Sequence, residues 1–192
     1  MDPDGATLPP FARRAREALS QGRRAVEPGR ATRAGVLAAL FAGPDGEPRV
    51  WLIRRPDALR SHAGQVALPG GKHDPTDIDL IATALREADE EIGLPVGAVT
   101  VLGAGDDLVT STGYVITPVV GWLAAPFTPR PNALEVARAF SAPFATFRGE
   151  GMLGLVPIAS LRDLARAYRV DGELVWGATA QILRSLASRL PA

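Results

Sequence analysis

Several acidic residues crowd into the nine-residue stretch READEEIGL, which begins at Arg86. On a helix, residues three and four apart share a face, so Glu87, Glu90 and Glu91 lie together there. Such like charges are mildly destabilising, by roughly a few tenths of a kcal/mol per exposed pair. One explanation is a solvated helix face, on which Arg86 pairs with Glu90 four residues later. The other is a bound Mg²⁺ or Mn²⁺, because hard cations prefer several carboxylate oxygens.

A tight-turn sequence lies upstream of this acidic cluster. Pro69-Gly70-Gly71 precedes Arg86 by 15 to 17 residues, which is far enough to fold back beside the helix. A glycine lets a backbone carbonyl approach a cation with no side chain in the way. We therefore expect Gly71 or Gly70 to add a carbonyl ligand to the carboxylates.

The overall composition limits the classes of protein that could carry such a site. The chain has 192 residues, 46% of them hydrophobic and 22% charged, which is typical of one globular domain. Lysine plus arginine equal aspartate plus glutamate at 21 each, which does not favour general nucleic-acid binding. There is no cysteine, which excludes thiolate metal sites and cysteine nucleophiles and favours a reducing compartment. No apolar run approaches the roughly 20 residues of a membrane span. We expect a cytoplasmic protein.

The apolar pattern predicts the elements that carry the cluster. Residues 1–30 read as an N-terminal extension, with a short helix near residues 11–19 and looser packing than the rest. Two apolar runs around Pro44-Asp45-Gly46 predict a β-hairpin. Ile78, Ala82, Leu85 and Ile92 recur at helical spacing, with Asp77 or Asp79 as the cap and Gly93 as the end.

The rest of the chain, after this helix, predicts a layered fold. Strands broken by Gly-rich turns follow, and the last predicted helix runs from Trp176 to Leu190. Strands on both sides of one helix, with another helix at the end, favour an α/β (α+β) fold. In it, a mixed β-sheet lies between helices in an α/β/α sandwich, and residues 31–192 form a single domain.

The stretch GGKHDPTDIDLIATALREADEEIGL resembles the Nudix box, the signature of a family of metal-dependent diphosphate hydrolases. The resemblance implies a Nudix fold with the box at residues 70–94. It also implies metal binding by Glu87, Glu90, Glu91 and Gly71, and catalytic roles for Glu91, Glu90 and Arg86.

One departure from the family pattern lies in the loop before the helix. The usual glycine and glutamate, 14 and 8 residues before the arginine, are replaced by Lys72 and Ile78. Gly71 and Asp77 stand one residue further upstream, so the loop has gained one residue. The role of that early glutamate, which is mainly structural in the family, passes to Asp77 or Asp79.

A second stretch, LIRRPDALRSHAGQVALPGG, resembles the signature that precedes the box in the coenzyme A pyrophosphatase branch of the family. The departures are Pro56 and Leu68, in places that usually hold a small residue and a phenylalanine. Coenzyme A carries a diphosphate and a ribose 3′-phosphate, so its site needs several cations, and the guanidinium fork suits phosphate oxygens. The expected substrate-binding residues are Arg55, Arg60, His62, Gln65 and Lys72.

Alternatives remain at individual positions. Some of these arginines could instead pair with Asp57, Asp74 or Asp77, and His62 could make a loop hydrogen bond. Arg54 should point to the opposite face of its strand from Arg55. The base that activates water could lie outside the box, with Glu135 as the first candidate and Glu150 as the reserve.

The resemblance implies hydrolysis of coenzyme A or its derivatives to 4′-phosphopantetheine and adenosine 3′,5′-bisphosphate. A second reading is a Nudix pyrophosphatase for another nucleoside diphosphate compound, such as ADP-ribose or NADH. A third is a non-catalytic, ligand-sensing Nudix domain. Sensing domains are expected to lose box carboxylates, and all three are present here. The sequence does not decide the oligomeric state or the choice between Mg²⁺ and Mn²⁺.

Overall fold

The computed structural model describes residues 8–59, 62–149, 152–157 and 164–192. Its α-helices are α1 (Pro10–Ser20), α2 (Leu80–Ile92) and α3 (Gly177–Arg189). Its strands are β1 (Thr32–Ala42), β2 (Pro48–Arg54), β3 (Val66–Ala67), β4 (Gly70–Lys72), β5 (Val99–Ala104), β6 (Leu108–Val109), β7 (Tyr114–Leu123), β8 (Arg138–Pro143), β9 (Met152–Pro157), β10 (Leu164–Val170) and β11 (Glu173–Trp176). Short 3₁₀ helices cover Val96–Ala98 and Phe144–Phe147.

The main sheet is mixed. Its strands follow the order β3-β2-β1-β7-β5, with β4 paired to β1, β6 to β7 and β8 to β2. β1 and β7 are parallel, and the other pairs in this sheet are antiparallel. A second, antiparallel sheet joins β9, β10 and β11.

Alternate residues of β1 face two separate hydrophobic clusters, as expected for a strand buried on both sides. Leu37 and Ala39 pack with α2, whereas Ala38 and Leu40 pack with the cluster that contains α1 and α3. The sheet therefore lies between helices, and the predicted α/β/α sandwich with a mixed sheet is confirmed.

The helix with the acidic cluster forms as the sequence predicted. Asp79 caps α2 by accepting a hydrogen bond from the Ala82 amide at 2.8 Å, and Gly93 ends it in the left-handed conformation. The predicted apolar face was right only in part: Ile92 is buried, whereas Ala82 and Leu85 are half-buried. Ile78 precedes the cap and is 92% exposed, and Leu80 is buried in its place at the start of the helix.

The N-terminal helix is more deeply integrated than predicted. Ala12, Ala15 and Leu19 of α1 are buried in the larger cluster. The Phe11 ring lies 6.0 Å from that of Trp122, between centroids. The expectation of loose packing was therefore wrong for residues 10–20, because small alanines let the helix lie close to the sheet. The helix itself was correctly predicted.

Two other predicted elements are present. β1 and β2 form the hairpin, in which the Gly46 amide donates to the Gly43 carbonyl at 2.9 Å. α3 matches the predicted C-terminal helix. Within the described residues, no helix has both the length and the apolar character needed to cross a membrane.

Candidate functional site

The backbone turn at Gly70 and Gly71 lies directly against the acidic face of α2. β4 carries this turn and pairs with β1, so that Gly35 lies opposite Gly71 and Val36 opposite Gly70. A Cβ atom on Gly71 would lie 2.4 Å from the carboxyl carbon of Glu87. Glycine at this position therefore leaves room for the Glu87 carboxylate where it lies, whereas a larger residue would displace that carboxylate.

Glu91 is the most buried carboxylate of the site, with 1% of the residue exposed. Its Oε2 accepts a hydrogen bond from the Gly70 amide at 2.9 Å, and its Oε1 lies 3.8 Å from a guanidinium nitrogen of Arg55. Burial raises the pKa of Glu91 to about 7, and the bond from Gly70 offsets only part of that effect. The negative charge of Glu87 raises it further.

Glu87 is also withdrawn from water, with 16% of its side chain exposed. Burial raises the pKa of Glu87, while its ion pair with Arg86 acts in the opposite direction. The charges of Glu90 and Glu135 add to the increase. Two neighbouring carboxylates on one helix therefore both bind protons more readily than they would in water.

Arg86 organises the carboxylates from the outer side of the site. One of its terminal nitrogens donates to Glu87 at 2.9 Å and to Glu90 at 3.0 Å, which confirms the predicted pair with Glu90. Its Nε and other terminal nitrogen donate to the two oxygens of Asp77, each at 3.0 Å. The two bonds from Arg86 hold the pKa of Asp77 far below its usual range. Three acidic side chains thus engage the Arg86 guanidinium.

The loop before α2, which has one residue more than the family pattern, places an aspartate against Arg86. Asp77 faces Arg86, whereas Asp79 is occupied as the cap of α2. Of the two replacements considered for the family's early glutamate, the geometry favours Asp77.

The carboxylates fit a hard divalent cation by their chemistry. Among the residues that the structure describes, no three acidic or histidine side chains already surround one point. To share one ion with Glu91, the carboxylates of Glu87 and Glu90 would have to change their side-chain conformations. Glu87 and Glu91 are nevertheless oxygen donors with raised pKa values, and a dication would compensate their charge.

The segment that contains Glu135 docks on the end of α2. The Arg130 amide donates to the Ile92 carbonyl at 2.7 Å, and the Asn132 amide donates to the Glu91 carbonyl at 2.9 Å. The charge of Glu135 contributes to the raised pKa values of both Glu87 and Glu91. The structure therefore brings this outside candidate within electrostatic reach of the box carboxylates.

The expected substrate-binding residues are spread around this centre. Arg55 is nearest, and its Nε is buried with no hydrogen-bond partner in the described part of the chain. The Lys72 ammonium lies 5.9 Å from the ring centroid of Tyr114. His62 and Gln65 contact each other, with 2.9 Å between Nδ1 and Oε1, so His62 makes the alternative loop hydrogen bond. Arg60, like Glu150, lies outside the described residues.

Two contributors to the site were not found from the sequence. Gly35 lets β1 pass close beneath α2, since a Cβ there would lie 2.4 Å from the Leu80 carbonyl oxygen. Asn132 ties the Glu135 segment to Glu91 through its backbone amide. A glycine inside an apolar strand could have suggested the close approach. No local sequence pattern could have shown the backbone hydrogen bond between Asn132 and Glu91, which are 41 residues apart.

Comparison with known proteins places this geometry in one family. A model of the NUDIX domain matches residues 31–141. A relative from Yersinia pestis (strain Pestoides F), called "Uncharacterized Nudix hydrolase NudL", is 43% identical over 166 residues, covering 82% of this chain and 79% of the relative. The protein of the same description from Yersinia pseudotuberculosis serotype O:1b (strain IP 31758) matches equally. The chain belongs to the Nudix hydrolase family.

Solved structures agree on the fold. RenU, a Nudix hydrolase from M. Smegmatis, superposes with a TM-score of 0.57 at 23% identity, covering 85% of this chain and 89% of RenU. DR0079 from Deinococcus radiodurans superposes with a TM-score of 0.51 at 16% identity, covering 80% and 81%. The family assignment makes the protein a hydrolase of phosphorus-containing anhydrides, a class that generally uses divalent metals such as Mg²⁺ or Mn²⁺.

Proposed function

We propose that this Nudix hydrolase cleaves the diphosphate bond of coenzyme A or its derivatives. The products are 4′-phosphopantetheine and adenosine 3′,5′-bisphosphate. The observation that carries the proposal is the position of Arg55. It belongs to the stretch that resembles the coenzyme A pyrophosphatase signature, and its guanidinium lies 3.8 Å from Glu91. From that place the positively charged Arg55 guanidinium would face the phosphates of a substrate that metal ions hold at the carboxylates.

The metal ligands of the proposal are the carboxylates of Glu87, Glu91 and Glu90, together with a carbonyl of Gly70 or Gly71. Bound Mg²⁺ or Mn²⁺ supplies charge neutralisation and lowers the pKa of water. Burial disfavours the charged form of Glu91, and Arg55 and the Gly70 amide offset only part of that effect, so a bound cation would stabilise the carboxylate further.

The remaining roles fall to other residues of the chain. Arg55 presents a buried, unpaired Nε, a hydrogen-bond donor that a phosphate oxygen could satisfy if the side chain moves. Glu135, whose charge reaches both box carboxylates, accepts the proton of the attacking water or serves as a further ligand. Arg86 keeps Glu87 and Glu90 oriented. Arg60, His62, Gln65 and Lys72 complete the proposed contacts to substrate phosphates.

Substrate choice is tested by comparing kcat/KM for coenzyme A, 3′-dephospho-coenzyme A and ADP-ribose with Mg²⁺ or Mn²⁺. We expect removal of the 3′-phosphate to lower kcat/KM about tenfold or more, as the loss of a charge-assisted contact should. The variant Arg55→Met should lose activity on all three compounds, because Arg55 is assigned to the shared diphosphate. Equal or better turnover of ADP-ribose would contradict the coenzyme A assignment and support the wider class of nucleoside diphosphate substrates.

A further inference from the structure

A chain of ion pairs runs from the second sheet to the loop that carries Arg55. Its members are Arg138 at the start of β8, Glu173 at the start of β11, Arg54 at the end of β2, and Asp57 in the loop that follows. The Arg54 Nε lies 3.4 Å from one Glu173 oxygen, and an Arg138 nitrogen lies 4.0 Å from the other. Glu173 thus stands between two arginines.

The outer end of this chain is fixed in place. Arg138 pairs with Asp171, in the turn between β10 and β11. Its guanidinium carbon also lies 5.0 Å above the centroid of the Phe140 ring, at cation–π distance. Arg138 therefore has two contacts of its own besides Glu173.

The inner end of the chain holds the loop. Arg54 donates to Asp57 at 2.7 Å, and this hydrogen bond to the Asp57 carboxylate, together with the charge of Glu173, raises the pKa of Arg54. Gly64 lies close to the pair of Arg54 with Asp57, since a Cβ on Gly64 would lie 2.6 Å from an Asp57 oxygen. The loop is closed by the Arg55 amide, which donates to the Gln65 carbonyl at 3.0 Å.

We propose that Glu173 is a positioning residue that acts through Arg54 to set the described parts of the next loop, residues 55–59 and 62–65, and so places Arg55 beside Glu91. The role in substrate binding rests on the proposed function, whereas the anchoring of the loop does not. Glu173 lies outside the NUDIX match at residues 31–141. The sheet of β9, β10 and β11 thereby contributes to substrate binding, although the proposed metal-binding carboxylates lie on α2.

The anchoring is tested without substrate, by hydrogen exchange of the full-length protein. In Glu173→Gln and Glu173→Ala we expect faster exchange in the peptide that spans residues 55–65, and wild-type exchange in α2 and β7. The matched control is Glu47→Gln, an exposed glutamate in the hairpin turn at the other end of β2. Unchanged exchange in residues 55–65, or a uniform increase over the whole chain, would overturn the proposal.

The effect on catalysis is read from KM and kcat separately. A surface ion pair is worth about 0.2–1 kcal/mol, which corresponds to about 1.4-fold to fivefold in KM. We therefore expect KM for coenzyme A to rise by up to about fivefold in Glu173→Ala, with kcat within about twofold. Glu47→Gln should match wild type. A fall in kcat with KM unchanged would overturn the positioning role. If wild type does not hydrolyse coenzyme A, the substrate assignment fails and the exchange result still decides the anchoring.

A double variant tests the route through Arg54. If Glu173 acts through this arginine, adding Glu173→Gln to Arg54→Leu should raise KM by less than it does in the wild-type background. Additive effects would show that Glu173 does not act through Arg54, and would overturn the proposal.

Discussion

The carboxylate of Glu91 is taken out of water when the chain folds, and in the absence of a cation this costs stability. Its pKa is raised from the ordinary value of about 4.3 to about 7, because burial disfavours the charged form. A carboxyl with a raised pKa binds its proton more tightly in the folded state. Its unfavourable contribution is therefore absent below about pH 4 and grows as the pH rises to about 7.

We expect Glu91→Gln to raise the Tm of the metal-free protein at pH 8 by a few degrees, and to change it much less at pH 5. Thermal unfolding in the presence of a chelator measures this difference. Adding Mg²⁺ at pH 8 should then raise the Tm of wild type and leave that of the variant almost unchanged. A variant that is equally destabilised at both pH values would contradict burial as the cause.

The pair between Asp77 and Arg86 has the opposite pH dependence. The Asp77 side chain is 6% exposed and accepts two bonds from Arg86, which lower its pKa. A carboxyl with a lowered pKa stabilises the fold above its unfolded pKa of about 3.9 and loses that contribution as the pH falls further.

Asp77→Asn should therefore destabilise the protein by about 1–3 kcal/mol at pH 7, as expected for hydrogen bonds to a charged group. The difference from wild type should shrink as the pH falls below 4. Denaturant unfolding at several pH values measures it. Asp79→Asn is the matched control, because asparagine also caps helices well. Equal losses in the two variants would contradict the assigned role of Asp77.

At the scale of elements, the Glu87 carboxylate contacts the backbone at Gly71 because β4 lies close to α2. In Gly71→Ala the added methyl group would lie 2.4 Å from the Glu87 carboxyl carbon, so this carboxylate must move. We expect affinity for Mn²⁺ to fall about tenfold or more, with a small change in Tm.

Titration calorimetry with Mn²⁺ gives the affinity in each variant. The control is Gly97→Ala, since a Cβ on Gly97 would meet nothing within 4 Å. If Gly71→Ala bound Mn²⁺ as tightly as wild type, the glycine turn would not belong to the metal site.

The elements that the sequence predicted well are those set by local physics. α2 begins at a capping aspartate and ends at a glycine, and both signals are readable within a few residues. The hairpin is set by Pro44-Asp45-Gly46 in the same way. Ile78 was misassigned because its spacing fits the helix, whereas the Asp79 cap places it outside. The spacing could not show where the helix begins.

The parts of the site that escaped prediction depend on contacts between distant residues. Arg86 with Glu90 is an i, i+4 pair and was predicted, whereas Glu173 meets Arg54 only because two sheets lie together. The buried state of Glu91, and hence its raised pKa, also depends on how α2 packs against the sheet. Composition and periodicity do not contain that information.

At the scale of the whole molecule, α1 is part of the core although it precedes the residues that match the family model. Leu19 is 5% exposed within the larger cluster. Leu19→Ala should cost about 2–5 kcal/mol of unfolding free energy, as for other buried leucines. Leu134→Ala is the matched control, because Leu134 is 82% exposed and its loss should cost less than about 0.5 kcal/mol.

Denaturant unfolding measures both variants. Equal stability of the two would mean that α1 does not contribute to the core in solution.

The central claim is that the carboxylates of α2 hold the metal for hydrolysis of a diphosphate. The most direct measurement follows the products of coenzyme A with and without Mg²⁺, for wild type, Glu91→Gln and the hairpin control Glu47→Gln. We predict equal amounts of 4′-phosphopantetheine and adenosine 3′,5′-bisphosphate from wild type and Glu47→Gln, only when Mg²⁺ is present, and almost none from Glu91→Gln. Product formation by Glu91→Gln at the wild-type rate, or by wild type without any divalent metal, would contradict the claim.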